Sequence, residues 1–567
     1  MLERPRRRLG FLAVLLVLVC LVMLGQLVRI QVLSYAELSA AGDEVRVRQS
    51  DLTPMRGQVL DRNGHMLVGN LVQYDISAAP DLVGDLDKTV TTLASDLDLD
   101  TDELSQTLSS DLVWVSIRRG VSKEIGEQVA AREMAGIMVD PVWRRTYPEG
   151  ALAAHILGFV NAENQGYYGV EGYYDGDLRG QAGTRVYQRD PWNQIIPLGL
   201  ADDEPPQPGM DLVLTIDRTV QALVEEELGL ALEETGAKSG VIIVMDPRSG
   251  AILALAAAPV YDPNRYWEVR DTRLFVNPAI NSQYEPGSVF KVLTTAVALE
   301  SGLVSPDTVF YDEGQIEVGG QVIRNATRQA YGYVTMTEVL IHSLNVEMAK
   351  ISSMLGPERF YQGLRAFGIG HRTGADLEGE VIGELRAPGD WRWHESDLAT
   401  NSFGQGLAVT PLQMIVAVAA IANDGVLMKP FVVAEKVYDA GHSERAQPAP
   451  IDWAVSPETA HLVAEMMAQT VEQGIERAKV PGYRVAGKSG TAQLPTPYGY
   501  DEQKTIASFV GFAPVEDPQV IVLVLLDEPT SSEWGAHTAA PAFSRLARRL
   551  FVLLEIPPQD VRLGMTQ

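Results

Sequence analysis

Positions 9–28 are apolar almost without a break, with Gly10, Gly25 and Gln26 as mild exceptions. That is about the 20 residues a helix needs to cross a bilayer. Arg4, Arg6, Arg7 and Arg8 precede the run, so the positive-inside rule predicts a single-pass protein of the cell membrane. Its N-terminus is then cytoplasmic and everything after the helix lies outside. The run is longer than the apolar core of a cleaved signal, about 7–15 residues. It therefore reads as an uncleaved anchor, although Ser39-Ala40-Ala41 would suit a signal peptidase.

Polar chain follows to about Ser50. Asn63-Gly64 marks a hairpin turn, and the alternation of Met66, Val68, Val72, Tyr74 and Ile76 predicts short strands after it. Residues 81–135 carry helical periodicity, clearest at 123–134. The polar, proline-rich stretch 202–209 is the best domain boundary. Beyond it, 211–217 leads into a helix reaching about Glu234, and the apolar runs 241–245 and 252–258 flank a turn at Asp246-Pro247-Arg248-Ser249-Gly250. A mostly helical region extends from Ser288 to about Ala478. Strands return at 484–493, 506–512 and 520–526, and a final helix is expected at 541–554. Strands at both ends with helices between predict an α+β fold, in which one antiparallel sheet is assembled from distant segments and flanked by helices.

Composition narrows the function. Of 567 residues, 46% are hydrophobic, ample for real cores and for more than one domain. A net charge of −28 leaves no basic face for phosphates, which excludes nucleic acid as a partner. The single cysteine, Cys20, lies in the apolar run, so the exported part has no disulfides. The eight histidines do not cluster at ligand spacing and no H-E-x-x-H is present; neither a metal nor an organic cofactor is signalled.

The chemistry concentrates in three places. Ser288 and Lys291 are three apart on one helical face, which brings a hydroxyl nucleophile within reach of an amine base. Ser288 falls in the first turn of a helix expected to end at Gly302, where backbone N–H groups are free to face an oxyanion. Ser343-Leu344-Asn345 and Lys488-Ser489-Gly490-Thr491 follow in that order. Each could be an ordinary surface segment alone. In sequence, S-x-x-K, S-x-N and K-[ST]-G are the signatures of penicillin-binding proteins and serine β-lactamases.

The chain resembles a class B penicillin-binding protein. The likeness extends to Arg56-Gly57, Asp61-Arg62-Asn63-Gly64, Ala153-Ala154-His155-Ile156-Leu157-Gly158, Ser402-Phe403-Gly404-Gln405-Gly406 and Thr410-Pro411-Leu412-Gln413. Asp527-Glu528-Pro529 with Ala539-Ala540-Pro541-Ala542-Phe543 is more like the cell-division branch than the elongation branch. The resemblance implies a cytoplasmic tip at 1–8, a transmembrane helix at 9–28 and an elongated, non-catalytic α+β pedestal (dimerisation) domain at 29–208. A transpeptidase domain would occupy 209–557, with a tail at 558–567.

It also implies roles. Ser288 would attack the D-Ala-D-Ala amide of a peptidoglycan stem peptide and hold the acyl group; β-lactams would acylate the same serine. Lys291 would take its proton, Ser343 would relay it, and Asn345 would orient Lys291 and the substrate. Lys488, Ser489, Gly490 and Thr491 would hold the terminal carboxylate, with the oxyanion hole formed by backbone N–H groups of Ser288 and Thr491. The implied partners are a polytopic membrane glycosyltransferase and other division proteins.

A serine β-lactamase would need a deacylating base such as the glutamate of E-x-x-x-N; Asn401 and Asn423 have Asp397 and Ala419 at that offset. A D,D-carboxypeptidase, a side-wall transpeptidase and a β-lactam-binding division scaffold remain as alternatives. His155 is expected to be structural, and His342 to point away from Ser343 whether its segment is helix or strand. Arg56, Asp61, Arg62 and Glu171 are expected to serve pedestal ion pairs and turns.

Overall fold

The computed structural model describes residues 3–35, 47–188, 202–439, 441–496 and 499–565. Ser39–Ala41, the alternative cleavage site, lies outside them. The chain forms two compact units, Met1–Met55 with Gly180–Gly209, and Arg56–Arg179 with Met210–Gln567.

In the first unit a helix begins at Glu3, and its apolar stretch Leu9–Leu33, 25 residues, is long enough to cross a membrane. It runs five residues past the sequence estimate because Arg29 interrupts the apolar pattern without breaking the helix. Strands Val47–Leu52, Gly183–Gln188 and Asp202–Glu204 make a small antiparallel sheet.

The second unit is built around a five-stranded antiparallel sheet of β1 (Ser239–Met245), β2 (Ile252–Ala258), β3 (Ala486–Thr496), β4 (Gly499–Ala513) and β5 (Val520–Asp527). The order is β2-β1-β5-β4-β3, so strands from both ends of the region meet in the middle. Both faces are covered, which explains why β1 and β5 read as unbroken apolar runs. Ile242 and Val244, with Val522 and Val524, pack beneath helices α1 (Arg218–Thr235) and α7 (Ala539–Leu553). Ile243, Leu523 and Leu525 face the opposite way, into a core shared with α2 (Lys291–Glu300), α3 (Met336–Ile341), α4 (Asn345–Ala366), α5 (Pro411–Ala422) and α6 (Pro457–Gly474). Each fully buried large aliphatic chain contributes roughly 1.5–3 kcal/mol.

α5 sits at the centre of that core, and every one of its residues is buried, as a helix apolar on all sides must be. Its start is fixed by a capping box between Thr410 and Gln413, with Pro411 in the first turn.

In the pedestal part of this unit the long strand Met66–Ala78 pairs with Ile137–Thr146 and Val115–Val121. Val59–Leu60 pairs in parallel with Asp211–Leu214, which in turn pairs with Val433–Asp439. The residues before and after the polar 202–209 stretch are thus joined through one sheet.

Several elements differ from the sequence expectation. The short strands expected after Asn63-Gly64 are one long strand, Met66–Ala78, and the region from Ser288 to Ala478 interleaves its helices with short strands such as Val309–Asp312 and Gly332–Thr335. The 123–134 helix ends at Ala130, and Glu133 takes a positive φ of 48° in the turn that follows. The chain does not close on the 541–554 helix: a short helix, Gln559–Met565, follows Pro558 within the expected tail.

Candidate active site

A cleft of about 590 Å³ opens beside the edge strand β3. Ser288, Ser343, Asn345, Ser489 and Thr491 line it, and Lys291 and Lys488 lie buried beneath, 0% and 1% exposed. The three motifs, 200 residues apart from first to last, therefore converge on one site.

Ser288 sits in a single 3-10 turn, Gly287–Phe290, that runs directly into α2. The turn rests on β3 so closely that the backbone must be bare on both sides. A Cβ on Gly490 would lie 2.8 Å from the Pro286 carbonyl oxygen, and one on Gly287 would lie 2.6 Å from that of Thr491. A strand residue's N–H and C=O point to the same side, so the Thr491 N–H also faces the turn that carries Ser288.

The Lys291 ammonium donates to the Ser343 carbonyl oxygen (2.5 Å), Ser343 Oγ (3.1 Å) and Asn345 Oδ1 (2.7 Å). Those bonds occupy all three donors of a charged lysine, and Ser288 Oγ is not among its partners. A neutral amine gives up one donor and gains a lone pair that can turn toward a hydroxyl. Burial, reinforced by the charge of Lys488, pushes the Lys291 pKa well below that of a free lysine. Lys488 donates to the same Ser343 Oγ (3.1 Å) and to the Ser489 carbonyl oxygen (3.1 Å), and burial brings it down to about 7. With two ammonium groups on one hydroxyl, the pair loses a proton readily.

Ser343 lies in the link between α3 and α4 with a positive φ of 58°. That left-handed turn corrects the expectation for His342: the segment is neither helix nor strand, and His342 and Ser343 both line the cleft. His342 packs against Tyr331, ring centroids 4.9 Å apart. Asn345 opens α4, with its Nδ2 donating to the Arg324 carbonyl oxygen at 2.9 Å.

Sequence reasoning missed three supports. The backbone N–H of Gly535 donates to Thr491 Oγ1 (3.1 Å), which leaves the threonine's own hydrogen free to point into the cleft. Glu285, just ahead of the nucleophile turn, accepts from the Gly406 N–H (3.0 Å) and the Tyr500 hydroxyl (3.1 Å). Burial raises the Glu285 pKa against those two bonds. Arg324 and Asn325 were given no role either. The only sequence signal was the adjacency of Glu285 to the S-x-x-K tetrad; the contacts that tie Thr491, Glu285 and Arg324 to their partners each span more than 20 residues.

Outside the cleft, His155 is structural. It is buried, bonds the Leu274 carbonyl oxygen through Nε2 at 3.0 Å, meets the Tyr261 ring edge-on and is brought by burial to about 4. Arg56 and Glu171 form a buried ion pair, and Asp61 organises the turn before Met66.

Residues 240–548 match the family described as "Penicillin binding protein transpeptidase domain", and residues 51–214 match "Penicillin-binding Protein dimerisation domain". The chain is a class B penicillin-binding protein. Among its relatives, "Stage V sporulation protein D" of Bacillus subtilis is 33% identical, covering 98% of this chain and 87% of the relative. "Probable peptidoglycan D,D-transpeptidase PenA" of Neisseria meningitidis is 31% identical over 98% of this chain and 95% of its own. A crystal structure of penicillin binding protein 3 from Mycobacterium tuberculosis, complexed with aztreonam, superposes with a TM-score of 0.70 at 28% identity, covering 90% of this penicillin-binding protein and 98% of that chain.

Proposed function

We propose that this class B penicillin-binding protein, a peptidoglycan D,D-transpeptidase, works through an acyl-enzyme on Ser288 and acts in septal wall synthesis. The observation that carries the first part is the convergence of two buried lysines on Ser343 Oγ beside Ser288. Lys291, with its depressed pKa, takes the Ser288 proton as the hydroxyl attacks the carbonyl between two D-alanines. Ser343 passes that proton to the departing D-alanine amine. Asn345 holds Lys291 and the substrate amide. Lys488, Ser489 and Thr491 bind the terminal carboxylate, and Gly490 leaves room for the serine turn. The N–H groups of Ser288 and Thr491 receive the oxyanion, a contribution of about 3–4 kcal/mol per donor. An amine of a second stem peptide then displaces Ser288, leaving a cross-link. β-Lactams stop at the acyl stage.

The same reading gives the helix at 9–28 the role of membrane anchor with the tip 1–8 in the cytoplasm. It makes 29–208 a pedestal that meets a polytopic glycosyltransferase and division proteins, and 209–557 the transpeptidase domain, followed by the tail 558–567. The relatives' names support a division-type role; one of them is called "Peptidoglycan D,D-transpeptidase FtsI homolog". The sporulation name of another favours a second reading, wall synthesis during spore formation.

Fluorescent penicillin tests the chemistry. A gel-stable adduct that disappears in Ser288→Ala is expected; label that forms and clears within minutes would mean a hydrolase, and no label on folded protein would remove the acyl-serine mechanism. Depletion tests the role: filaments with blocked septa are expected, rounded cells would mean side-wall synthesis, and normal growth with failed spores would favour the second reading.

A further inference from the structure

Two arginines outside the three motifs stand in the lining of the cleft. Arg324 ends the strand Gln321–Arg324, and Arg328 lies in the loop beyond it; both line the cleft and both are exposed. Neither makes an ion pair or a side-chain hydrogen bond among the described residues, in a chain whose acidic groups outnumber its lysines and arginines by 74 to 46. Glu533, the carboxylate that lines the same cleft, pairs with neither.

The loop that carries them is built rather than loose. Asn325, 2% exposed, donates through Nδ2 to both oxygens of Asp312, itself 1% exposed, at 3.0 and 2.8 Å. The same Nδ2 reaches the Gln329 carbonyl oxygen at 3.2 Å, and Asn325 Oδ1 accepts from the Val346 N–H at 3.2 Å. Asp312 also accepts the Tyr331 N–H at 2.8 Å, which closes the loop. Arg328 is held at a positive φ of 56°, unusual for a residue other than glycine, and its N–H bonds the Asn325 carbonyl oxygen at 2.9 Å. Strain maintained around an exposed, unpaired cation is the pattern of a binding position.

The Arg324 backbone is tied to Asn345 Nδ2, so the guanidinium's origin is fixed relative to Lys291 and Ser343. The terminal carboxylate of the donor is already served by Lys488, Ser489 and Thr491 in the function proposed above, on which this inference rests. The geometry points to Arg324 and Arg328 as a second anion subsite that takes a carboxylate of the stem peptide other than its C-terminus and so selects unamidated stem peptides. Arginine suits the task because its planar fork matches a carboxylate in two parallel hydrogen bonds. A stem peptide offers two such groups, on its glutamyl residue and on a diamino acid of the diaminopimelate type, and amidation removes the charge from either.

The test measures how well peptide protects Ser288 from fluorescent penicillin, using full-length protein in detergent. The probes are a D-Ala-D-Ala pentapeptide with free glutamyl and diaminopimelyl carboxylates, and two versions carrying a carboxamide at one or the other position. Wild type should be half-protected by the free-acid peptide at a concentration roughly five- to tenfold below that needed for one of the amides, and that amide identifies the carboxylate. Arg324→Gln/Arg328→Gln should erase this preference, with protection by each peptide referred to the variant's own labelling rate without peptide. Equal protection by all three peptides, or a loss in the variant that affects them all alike, overturns the subsite. Failure of wild type to label at all would instead overturn the acyl-serine mechanism beneath it.

Discussion

Two clusters of buried charge, built from similar residues in the same unit, do opposite things. In the pedestal part, Arg56 is 1% exposed and Glu171 0%, yet every charge meets its complement. Arg56 Nε donates to Glu171 Oε2 (2.7 Å) and its Nη1 to Asp175 (2.9 Å), while Arg145 Nε donates to Glu171 Oε1 (2.6 Å) and its Nη1 to the Gly57 carbonyl oxygen (2.6 Å). Burial alone would lower the Arg56 pKa, but Glu171 and Asp175 hold it above the ordinary value. In the cleft, Lys291 and Lys488 are as deeply buried, pair with no carboxylate among the described residues, and share one serine hydroxyl. The first cluster is compensated and holds strands together. The second is left uncompensated, and the cost of burying its charge lowers the pKa of both lysines, which in the function proposed above makes Lys291 available as a base.

The comparison breaks most sharply at Lys291. Lys291→Met should reduce penicillin acylation by about 10³-fold, since a positioned base contributes about 10²–10⁴. The same change should move unfolding stability by no more than about 1–3 kcal/mol, because relief of the buried amine is offset by the Ser343 and Asn345 oxygens left without a donor. A large loss of activity with a small change in the melt marks the functional cluster; a variant that loses both heavily would place Lys291 with the structural one.

Glu171→Ala is the counterpart. It strands Arg56 and Arg145 in the interior and should cost about 3–5 kcal/mol in a thermal or denaturant melt. Acylation of the protein that remains folded should keep its wild-type rate. A fall in that rate without a change in the melt would instead mean that the pedestal sets the geometry of the cleft.

These clusters also differ in how visible they are in sequence. The sheet, its central helices and the eight cleft residues were legible because apolar runs and three short motifs are local patterns. Arg56 and Glu171 were legible as pedestal residues, though their partnership spans 115 positions and was not. The support of Thr491 by Gly535, and the Asp312–Asn325 brace behind Arg324, left no trace. Both are made by residues whose side chains or amides are common in any turn, and only folding brings them together. His342 was misread for a related reason: period-2 and period-3.6 rules say nothing about a residue whose neighbour adopts a left-handed turn.

Titration sharpens the contrast next. The pH dependence of the second-order acylation rate reports groups of the free enzyme. It should fall as pH rises past neutrality and Lys488, at about 7, loses the charge that attracts the β-lactam carboxylate, while the depressed pKa of Lys291 supplies a neutral amine well below the pH an ordinary lysine would need. That limb should approach tenfold per pH unit. Stability follows the opposite logic to a salt bridge. Lys488 is held at about 7 in the folded protein against 10.5 for an ordinary lysine, so the folded state binds fewer protons between those values. The penalty is full below that window and is relieved as pH rises through it, so Lys488→Met should flatten the rise in stability between about pH 7 and 10.5. Glu171→Gln should leave that rise in place.

The smallest effect comes from a pair outside both clusters. Arg549 donates to Glu226 at 2.8 Å between α7 and α1, with both side chains at least half exposed. An ion pair in water replaces good solvation with a contact of similar worth, and it orders two long side chains in doing so. Arg549→Ala should therefore shift the melt by less than about 1 kcal/mol and leave acylation untouched. Its distance, within 0.1 Å of the Arg56–Asp175 contact, shows that separation is not what distinguishes the three sites. Burial is: the same geometry is neutral in water, stabilising where charges of both signs are enclosed, and destabilising where two ammonium groups are enclosed together. A large loss in Arg549→Ala would contradict that ordering and require the α1–α7 layer, rather than the two buried clusters, to hold the sheet.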